Sequence, residues 1–207
     1  MWNLYFYTPT LDLKIFLIIN HYLKNPFFDW LMPIISNNLV WGSIILSYLF
    51  YLLLTHQKNK IFYILIACLL IGLCDWSANL PKKKLARIRP LNALKGCHFF
   101  EDNHWQTRSA NFIPTKKRGT SFPSAHAANS WLAYLLLSFR FKKLKKILWP
   151  IPLAVGYSRI YLGKHYPLDI LGGYIWGTLF FVLFLVLYHF GEQKYGQTNW
   201  FKRIFKS

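Results

Sequence analysis

Residues 170–190 read "ILGGYIWGTLFFVLFLVLYHF", and no Asp, Glu, Lys or Arg interrupts the run. A helix that crosses a bilayer needs about 20 mainly apolar residues, so this stretch predicts a membrane-spanning helix. Gly172 and Gly173, near its start, would let a neighbouring helix approach closely. The stretch places the chain among integral membrane proteins.

Four further stretches are apolar and have roughly the length of a membrane span; they cover residues 39–55, 61–80, 126–139 and 147–162. The last two are short, which is tolerated where helices line a polar pocket. The sequence therefore predicts an all-α fold, a polytopic membrane helix bundle with five transmembrane helices. A length of 207 residues allows one domain, residues 1–207, rather than several.

The N-terminal residues 1–37 need a separate interpretation. Their apolar runs are interrupted by polar residues that include His21, Lys24 and Asp29. This pattern favours two short amphipathic helices that lie at the membrane interface. The alternative is a sixth transmembrane helix.

The chain is strongly basic, with 25 Lys and Arg against 7 Asp and Glu and a formal net charge of +18. In a soluble protein this charge would suggest a nucleic-acid partner, but here the basic residues alternate with apolar spans. Anionic lipid or phosphate is the better partner, and neither nucleic acid nor a protein partner is indicated. The cysteines, Cys68, Cys74 and Cys97, are scattered and predict neither a disulfide framework nor a zinc site.

The predicted spans put residues 81–123 and 163–167 on one side of the membrane and the connections at 56–60 and 139–146 on the other. Lys and Arg are nearly balanced between the two sides, so the positive-inside rule does not decide the orientation. If some cations of the first side are committed to catalysis, the second side becomes the cytoplasmic one. The segment 81–123 is then an extracytoplasmic active-site loop.

Three polar patches lie on that first side: "KKKLARIRP" at residues 82–90, "SFPSAHAANS" at residues 121–130 and "SRIYLGKHYPLD" at residues 158–169. In the second patch, Ser124 precedes an apolar helical run and fits the N-cap position. A helix N-terminus presents free N–H groups to a phosphate oxygen. His126, in the first turn, could then donate a proton to a leaving oxygen, although an ordinary capped helix with an interfacial histidine explains the same pattern.

In the third patch, Pro167 suits the first turn of a helix, where its missing N–H has no partner to lose. Asp169 follows His165 by four residues, so its carboxylate can reach one imidazole nitrogen and leave the other free. An imidazole oriented in this way is an activated nucleophile or base. A capping aspartate next to an unrelated histidine is the alternative.

Arg89 and Arg159 each adjoin a membrane segment and have no acidic neighbour in the sequence. A guanidinium binds phosphate oxygens bidentately, which predicts a phosphate site. Asp75, on the second predicted span, would either pair with an active-site cation or serve helix packing. Three further cations of the first patch are interpreted as anchors to lipid headgroups: Lys83, Lys84 and Arg87.

Taken together, the patches read as Lys82, six residues and "RP" at 89–90; "PSAH" at 123–126; and "SR" at 158–159, five residues, His165, three residues and Asp169. This order and spacing resembles the three-part signature of the type 2 phosphatidic acid phosphatase superfamily, integral-membrane lipid phosphatases related to vanadium haloperoxidases. That family usually has Gly where this chain has Ala125. Alanine supplies the same backbone N–H but disfavours a left-handed backbone, whereas a helical first turn accepts it.

The resemblance implies that His165 attacks phosphorus to form a phosphohistidine while Asp169 holds and charges the imidazole. His126 would protonate the leaving oxygen and then activate water. The phosphate oxygens would be held by Lys82, Arg89, Ser124, Ala125 and Arg159. Because protein cations would neutralise the phosphoryl group, no metal ion or cofactor is expected.

Small bacterial members of that superfamily act on undecaprenyl diphosphate, lipid A 1-phosphate or phosphatidylglycerophosphate. The short chain and its basic outer face look most like the first two, so the expected reaction is hydrolysis of lipid A 1-phosphate or undecaprenyl diphosphate. The active site would face the periplasm at the bacterial inner membrane. The alternatives are a phosphatidylglycerophosphate or phosphatidic acid phosphatase, and a non-catalytic lipid-binding protein.

The loop at residues 91–122 mixes aromatic residues with Arg108 and the cations at 116–118. It is interpreted as a lid whose aromatic side chains enter the headgroup layer and whose cations gather a phosphorylated lipid. A solvated loop without a function is the alternative.

Overall fold

The structure is a computed structural model that describes residues 8–114 and 120–205. The helices in chain order are α1 (Thr10–Leu17), α2 (Pro26–Ile35), α3 (Asn38–Leu54), α4 (Lys58–Ser77), α5 (Asn79–Leu85), α6 (Pro90–Ala93), α7 (Ala125–Arg140), α8 (Lys145–Leu148), α9 (Pro150–Tyr161), α10 (Pro167–Tyr195) and α11 (Asn199–Phe205). A π-helical turn, Ile18–Tyr22, continues α1, and a 3₁₀ turn, Lys142–Leu144, precedes α8. The strands β1 (His98–Glu101) and β2 (His104–Thr107) form an antiparallel hairpin. The predicted helical architecture is therefore confirmed for the described residues, and the β-hairpin is an element that the sequence did not predict.

Two stretches of the described ranges are long and apolar enough to cross a membrane, Lys58–Ala93 and Pro167–Tyr195. Helices α2 and α3 pass the same test together, but the chain bends by 56° between them, as in a broken span or a re-entrant loop. By length and composition, residues 8–114 and 120–205 thus contain two candidate spans, or three with the bent pair.

The third and fourth predicted spans correspond to α7 and α9, which have 16 and 12 residues. At 1.5 Å per residue they are about 24 and about 18 Å long, less than the hydrocarbon core of about 30 Å. Helices therefore form at both predicted positions. The count of five membrane spans stays a prediction.

Helix α10 packs directly on α7 because glycines of α10 face it. A Cβ atom added at Gly173 would lie 2.4 Å from the carbonyl oxygen of Ser124, and one at Gly177 would lie 2.6 Å from that of Ala128. The close helix approach predicted from the early glycines of residues 170–190 is confirmed. This contact holds the first turn of α7 against the first turns of α10, where the second and third polar patches lie.

The substitution Gly173→Ala is expected to destabilise the protein, because its new methyl group would meet backbone that moves only if α7 shifts. Overpacking of this kind typically costs about 1–3 kcal/mol, so the melting temperature of the detergent-solubilised protein should fall. The matched control is Gly72→Ala in α4, where an added Cβ meets nothing within 4 Å and alanine favours the helix. Equal melting temperatures for the two variants would contradict the packing.

The N-terminal residues form two short helical pieces, as predicted, but the first of them is integrated into the fold. Asp12 is 3% exposed and Asn20 is 1% exposed. The Asn20 side-chain amide donates to the carbonyl oxygens of His98 at 2.8 Å and Tyr161 at 3.0 Å. These bonds tie the N-terminal segment to the hairpin and to α9. A location of this segment at the membrane interface stays a prediction.

The described part of the predicted lid folds onto the protein. Phe99 is 1% exposed, and Trp105 packs edge-on against Tyr161. The guanidinium of Arg108 lies 4.4 Å from the centre of the Phe99 ring. For Phe99 the prediction of an aromatic side chain in the headgroup layer is wrong, because Phe99 is buried in the protein. For Trp105, which is half-buried, it stays a prediction. The cations at 116–118 lie outside the described residues.

Candidate active site

The three polar patches meet at one end of the helix bundle. The N–H of Ser124 donates to the carbonyl oxygen of Asp169 at 2.9 Å, which joins the second patch to the third. The N–H of Ser121 donates to the carbonyl oxygen of Arg87 at 2.9 Å, which joins the second patch to the first. Stretches far apart in the chain are therefore neighbours in space.

The third patch turns sharply just before its histidine. Gly163 has a φ of 70°, a conformation that suits glycine. A Cβ atom there would lie 2.5 Å from the carbonyl oxygen of His98, so the missing side chain lets strand β1 lie against the turn. The hairpin thereby packs directly against the turn that precedes His165.

His165 and Asp169 face each other across the start of α10. Pro167 begins this helix, as predicted, and His165 is 3% exposed. The Nδ1 atom of His165 lies 3.6 Å from Oδ2 of Asp169, which is longer than a hydrogen bond, so the contact is electrostatic. The same Oδ2 accepts the backbone N–H of Tyr166 at 2.8 Å. Asp169 thus caps the helix and also faces the imidazole, which combines both interpretations of the sequence.

The environment of His165 favours its neutral form. Burial lowers the pKa of His165 from 6.5 to about 4, with Asp169 opposing this shift and the cations Arg159 and Arg89 adding to it. At pH 7 the imidazole is therefore uncharged and keeps a ring nitrogen lone pair that can attack phosphorus.

We expect the imidazole of His165 to titrate well below the ordinary value, near pH 4, in the substrate-free protein. Because the folded pKa is lowered, protonation occurs only at more acidic pH, and the nucleophilic form persists from about pH 6.5 down to about pH 4. NMR titration of imidazole-labelled protein measures the midpoint, with the resonance assigned by its absence from the variant His165→Gln. A midpoint at or above 6.5 would contradict the burial of this imidazole.

Helix α7 begins as the second patch predicts. Ser124 is the N-cap, and its Oγ accepts the N–H of Ala127 at 3.4 Å. Ala125 is the first helical residue and has no positive φ, so alanine in place of the usual glycine causes no backbone strain. His126 follows in the same turn and interacts electrostatically with His165 and with a group of cations, Lys82, Arg89 and Arg159.

Arg89 and Arg159 carry charge that the described residues do not neutralise. Their Nε atoms are buried without a hydrogen-bond partner, and among residues 8–114 and 120–205 neither side chain has a carboxylate within ion-pair distance. Arg159 donates through Nη1 to the hydroxyl of Ser36 at the end of α2. Buried cations without a counterion suit an anionic ligand.

The variant Arg159→Lys is expected to lower kcat/KM for a phosphorylated lipid at least about tenfold, or about 1.4 kcal/mol. One ammonium group cannot hold Ser36 and also span two phosphate oxygens as the planar guanidinium can. Rates measured in detergent micelles test this, with Lys83→Ala as the control, since Lys83 is an exposed cation of the same face. A lysine variant with wild-type kcat/KM would contradict bidentate binding.

Two other charged residues of the sequence analysis have simple environments. Lys82 is half-buried on α5, next to His126, whereas Lys83 and Lys84 are exposed. The Oδ1 atom of Asp75 accepts a hydrogen bond from the amide of Asn129 at 2.9 Å. Asp75 therefore serves packing between α4 and α7, and within the described part of the chain it forms no ion pair with an active-site cation.

Arg87 corrects the sequence interpretation. It is 2% exposed, donates to Oδ1 of Asp169 at 2.7 Å and also donates to Oδ2 of Asp12. Its guanidinium lies 4.2 Å from the centre of the Tyr166 ring. The interpretation of Arg87 as an anchor to lipid headgroups is wrong, because its charge is buried between two carboxylates.

Asp12 and Ser121 were not singled out in the sequence, although both belong to this cluster. The hydroxyl of Ser121 donates to Oδ2 of Asp169 at 2.5 Å. Asp12 offered one signal, a carboxylate in an apolar N-terminal run, where an unpaired charge is unfavourable. Its partner Arg87 is 75 residues away in the chain, so the sequence does not identify the pair.

Two phosphatases of known sequence and one solved structure are similar to this chain. The Lipid A 4'-phosphatase of Bacteroides thetaiotaomicron is 30% identical over 187 residues, which cover 86% of this chain and 77% of that protein. The Undecaprenyl-diphosphatase BcrC of Bacillus subtilis is 29% identical over 97 residues, which cover 45% of this chain and 49% of that protein. The crystal structure of Aquifex aeolicus LpxE matches with a TM-score of 0.63 and 26% identity, covering 86% of this chain and 96% of that chain.

The family-level match extends across the site. A model of the PAP2 superfamily matches residues 60–192, which are more than half of the chain and contain all three polar patches. The resemblance inferred from the motifs is thereby confirmed. This chain belongs to the PAP2 superfamily and is a membrane lipid phosphatase.

Proposed function

We propose that this lipid phosphatase hydrolyses a phosphate ester of lipid A through a phosphohistidine on His165. The observation that carries the proposal is the setting of that imidazole, which is 3% exposed and 3.6 Å from a carboxylate oxygen of Asp169. Arg89 and Arg159 act on it electrostatically. A neutral imidazole beside cations without counterions suits attack on a phosphate group.

In the first step, an imidazole nitrogen of His165 forms a bond to phosphorus as the bond from phosphorus to the lipid oxygen breaks. The ring gains positive charge, which Asp169 stabilises. His126, which enters this step as the imidazolium, gives a proton to the leaving oxygen and becomes neutral. In the second step, His126 takes a proton from water, and the water oxygen attacks phosphorus. The bond between nitrogen and phosphorus then breaks, and inorganic phosphate leaves.

Positive groups around the phosphate supply most of the stabilisation in this proposal. The oxygens that surround phosphorus in the transition state carry negative charge, and pre-positioned donors lower its energy. The N–H groups of Ala125 and His126 lie at the start of α7, where helix geometry leaves them without an intrahelical acceptor. The side chains that join them are Lys82, Arg89, Ser124 and Arg159. Metal ions have no role in these steps.

Lipid A is favoured as the substrate because the lipid A 4'-phosphatase relative aligns with 86% of this chain. Undecaprenyl diphosphate is the second candidate, supported by a relative that aligns with 45% of the chain. The sequence expectation named the 1-phosphate of lipid A, whereas the name of the first relative favours the 4'-phosphate. The position of hydrolysis is therefore the main readout of the test.

The deciding experiment incubates the purified protein in detergent with bisphosphorylated lipid A, undecaprenyl diphosphate, phosphatidylglycerophosphate and phosphatidic acid, each with and without EDTA. Mass spectrometry of the lipid product assigns the 1- or the 4'-position. We expect phosphate release from lipid A that is unaffected by EDTA. Loss of activity with EDTA would overturn the metal-independent mechanism, and faster hydrolysis of undecaprenyl diphosphate would make it the substrate. No release from any lipid would favour a binding protein.

The proposed setting is the bacterial inner membrane, with five spans, residues 1–37 at the interface and the segment 81–123 on the periplasmic side. This orientation follows if cations of the side that carries the three polar patches are committed to phosphate, so that the exposed lysines after α7, Lys143, Lys145 and Lys146, face the cytoplasm. A fluorescent protein that folds only in the cytoplasm, fused to the C-terminus, should be fluorescent. A dark fusion, together with an active periplasmic reporter at the same site, would reverse the orientation.

A further inference from the structure

Asp169, which faces His165, belongs to a buried cluster of polar side chains. The cluster also contains Ser121, Arg87 and Asp12, and Asp12 is a carboxylate from helix α1. Asp12 is 3% exposed, Arg87 is 2% exposed, and Ser121 and Asp169 are 0% exposed. Arg87 joins the two carboxylates, with its Nη1 bonded to Asp169 at 2.7 Å and its Nη2 bonded to Asp12. Helix α1 thereby reaches a residue that faces His165.

The charges of this cluster do not cancel. Arg87 carries one positive charge, and Asp12 and Asp169 carry one negative charge each, so their sum is −1. If Arg87 were the partner of Asp169 alone, it would neutralise the carboxylate that faces His165. Because Asp12 and Asp169 share one guanidinium, one unit of negative charge stays uncompensated. This charge stabilises the positive charge that the imidazole gains as its bond to phosphorus forms.

Asp12 also fixes the geometry of the helix that carries Asp169. Its Oδ1 accepts the backbone N–H of Leu168 at 2.8 Å, in the first turn of α10. This turn is where Asp169 accepts the N–H of Tyr166. One carboxylate of α1 therefore holds both the helix end and the arginine that orient Asp169.

We infer that Asp12 is a positioning residue of the active site, which acts through Arg87 to hold Asp169 and to preserve the negative charge that supports His165. The inference rests on the proposed role of His165 as the nucleophile. Asp12 acts through Arg87 and Leu168 and does not contact the reacting atoms.

Other titratable groups also face His165 and are unchanged in every variant of the test. Besides Asp169, which belongs to the cluster, the described residues that act on the imidazole are Arg159 of α9, Arg89 just before α6 and His126 of α7. A shift of the His165 titration midpoint on substitution of Asp12 or Arg87 therefore reports the charge of the cluster.

The test measures the His165 midpoint by NMR in three variants. Asp12→Asn makes the cluster neutral and should lower the midpoint, because less negative charge then stabilises the imidazolium. Arg87→Met makes the cluster −2 and should raise it. The double variant returns the sum to −1 and should return the midpoint to near the wild-type value.

Kinetics on a lipid substrate separate positioning from binding. Asp12→Asn should slow formation of the phosphohistidine about tenfold and change KM less than threefold, because the substrate is not touched. Asp12→Glu, which keeps the charge, should restore most of the rate and the midpoint. Asp29→Asn is the matched control, since Asp29 also lies in the N-terminal segment but bonds to the hydroxyl of Tyr161; it should leave the midpoint unchanged.

The inference is overturned if Asp12→Asn lowers the melting temperature while the His165 midpoint and the rate per folded molecule stay at wild-type values. That result would assign Asp12 a purely structural role. If Arg87→Met does not fold, Asp12→Asn and Asp12→Glu decide, because both keep the ion pair between Arg87 and Asp169. If the wild-type protein released no phosphate, the proposed function would be contradicted. The His165 midpoints of the wild-type protein and the variants would still test the role of the cluster.

Discussion

Replacing His165 with alanine is expected to abolish phosphate release from lipid A and the covalent phosphoenzyme with it. In the proposed mechanism the imidazole supplies the atom that bonds to phosphorus. Asp169 cannot take its place, because its carboxylate is held by Arg87, Ser121 and a backbone N–H. Loss of a nucleophile lowers kcat by on the order of 10⁴-fold or more.

The measurement is rapid quenching with radiolabelled lipid A, which traps an acid-labile bond between nitrogen and phosphorus in the wild-type protein. The variant His165→Gln provides a second test, since it keeps a polar side chain in the buried site. Melting temperatures of both variants show whether the fold is kept. A folded His165→Ala protein that still releases phosphate at a near-normal rate would exclude the assignment of the nucleophile.

Replacing His126 with alanine is expected to slow hydrolysis of lipid substrates by about 10²–10⁴-fold, the usual contribution of a general acid or base. The loss should depend on the leaving group, because a sugar or alkyl oxygen needs a proton to depart and a nitrophenolate does not. With p-nitrophenyl phosphate the first step should therefore be close to normal.

The second role proposed for His126, activation of water, predicts a separate kinetic signature. Without a base to activate water, the phosphohistidine should accumulate, giving a burst of nitrophenolate followed by slow turnover. Ser130→Ala is the control, since Ser130 lies on the same helix and donates to the carbonyl of Ala127. An equal loss of rate for good and poor leaving groups, without a burst, would remove His126 from proton transfer.

The local parts of the site could be predicted from the sequence. Ser124 as an N-cap, Pro167 at the start of α10 and the approach of Asp169 to His165 depend on residues within four positions of each other, where backbone geometry alone sets the contact. The early glycines of α10 likewise indicated a close helix neighbour. Alanine at position 125 is compatible with the backbone, as predicted for the first turn of a helix.

The long-range parts could not be predicted in this way. Arg87 lies 82 residues from Asp169 and 75 from Asp12, and one arginine among several cations has no local mark that sets it apart. The aromatic residues of the predicted lid were assigned to lipid because hydrophobicity does not distinguish a lipid headgroup layer from a protein surface. In the structure Phe99 is buried, and Trp105 packs against Tyr161 of α9.

The order and spacing of charged and apolar residues indicated the family by resemblance, and with it the kind of reaction and the residues proposed to react. Spacing carries this information because the contacts within each patch follow from local helix-start geometry. Only the tertiary structure decided which cations lack a carboxylate partner among the described residues and which form ion pairs with carboxylates. That choice depends on burial and on distances between helices. Arg89 and Arg159 are left without counterions in the described residues, whereas Arg87 is shared by Asp12 and Asp169, since α1 packs against the start of α10.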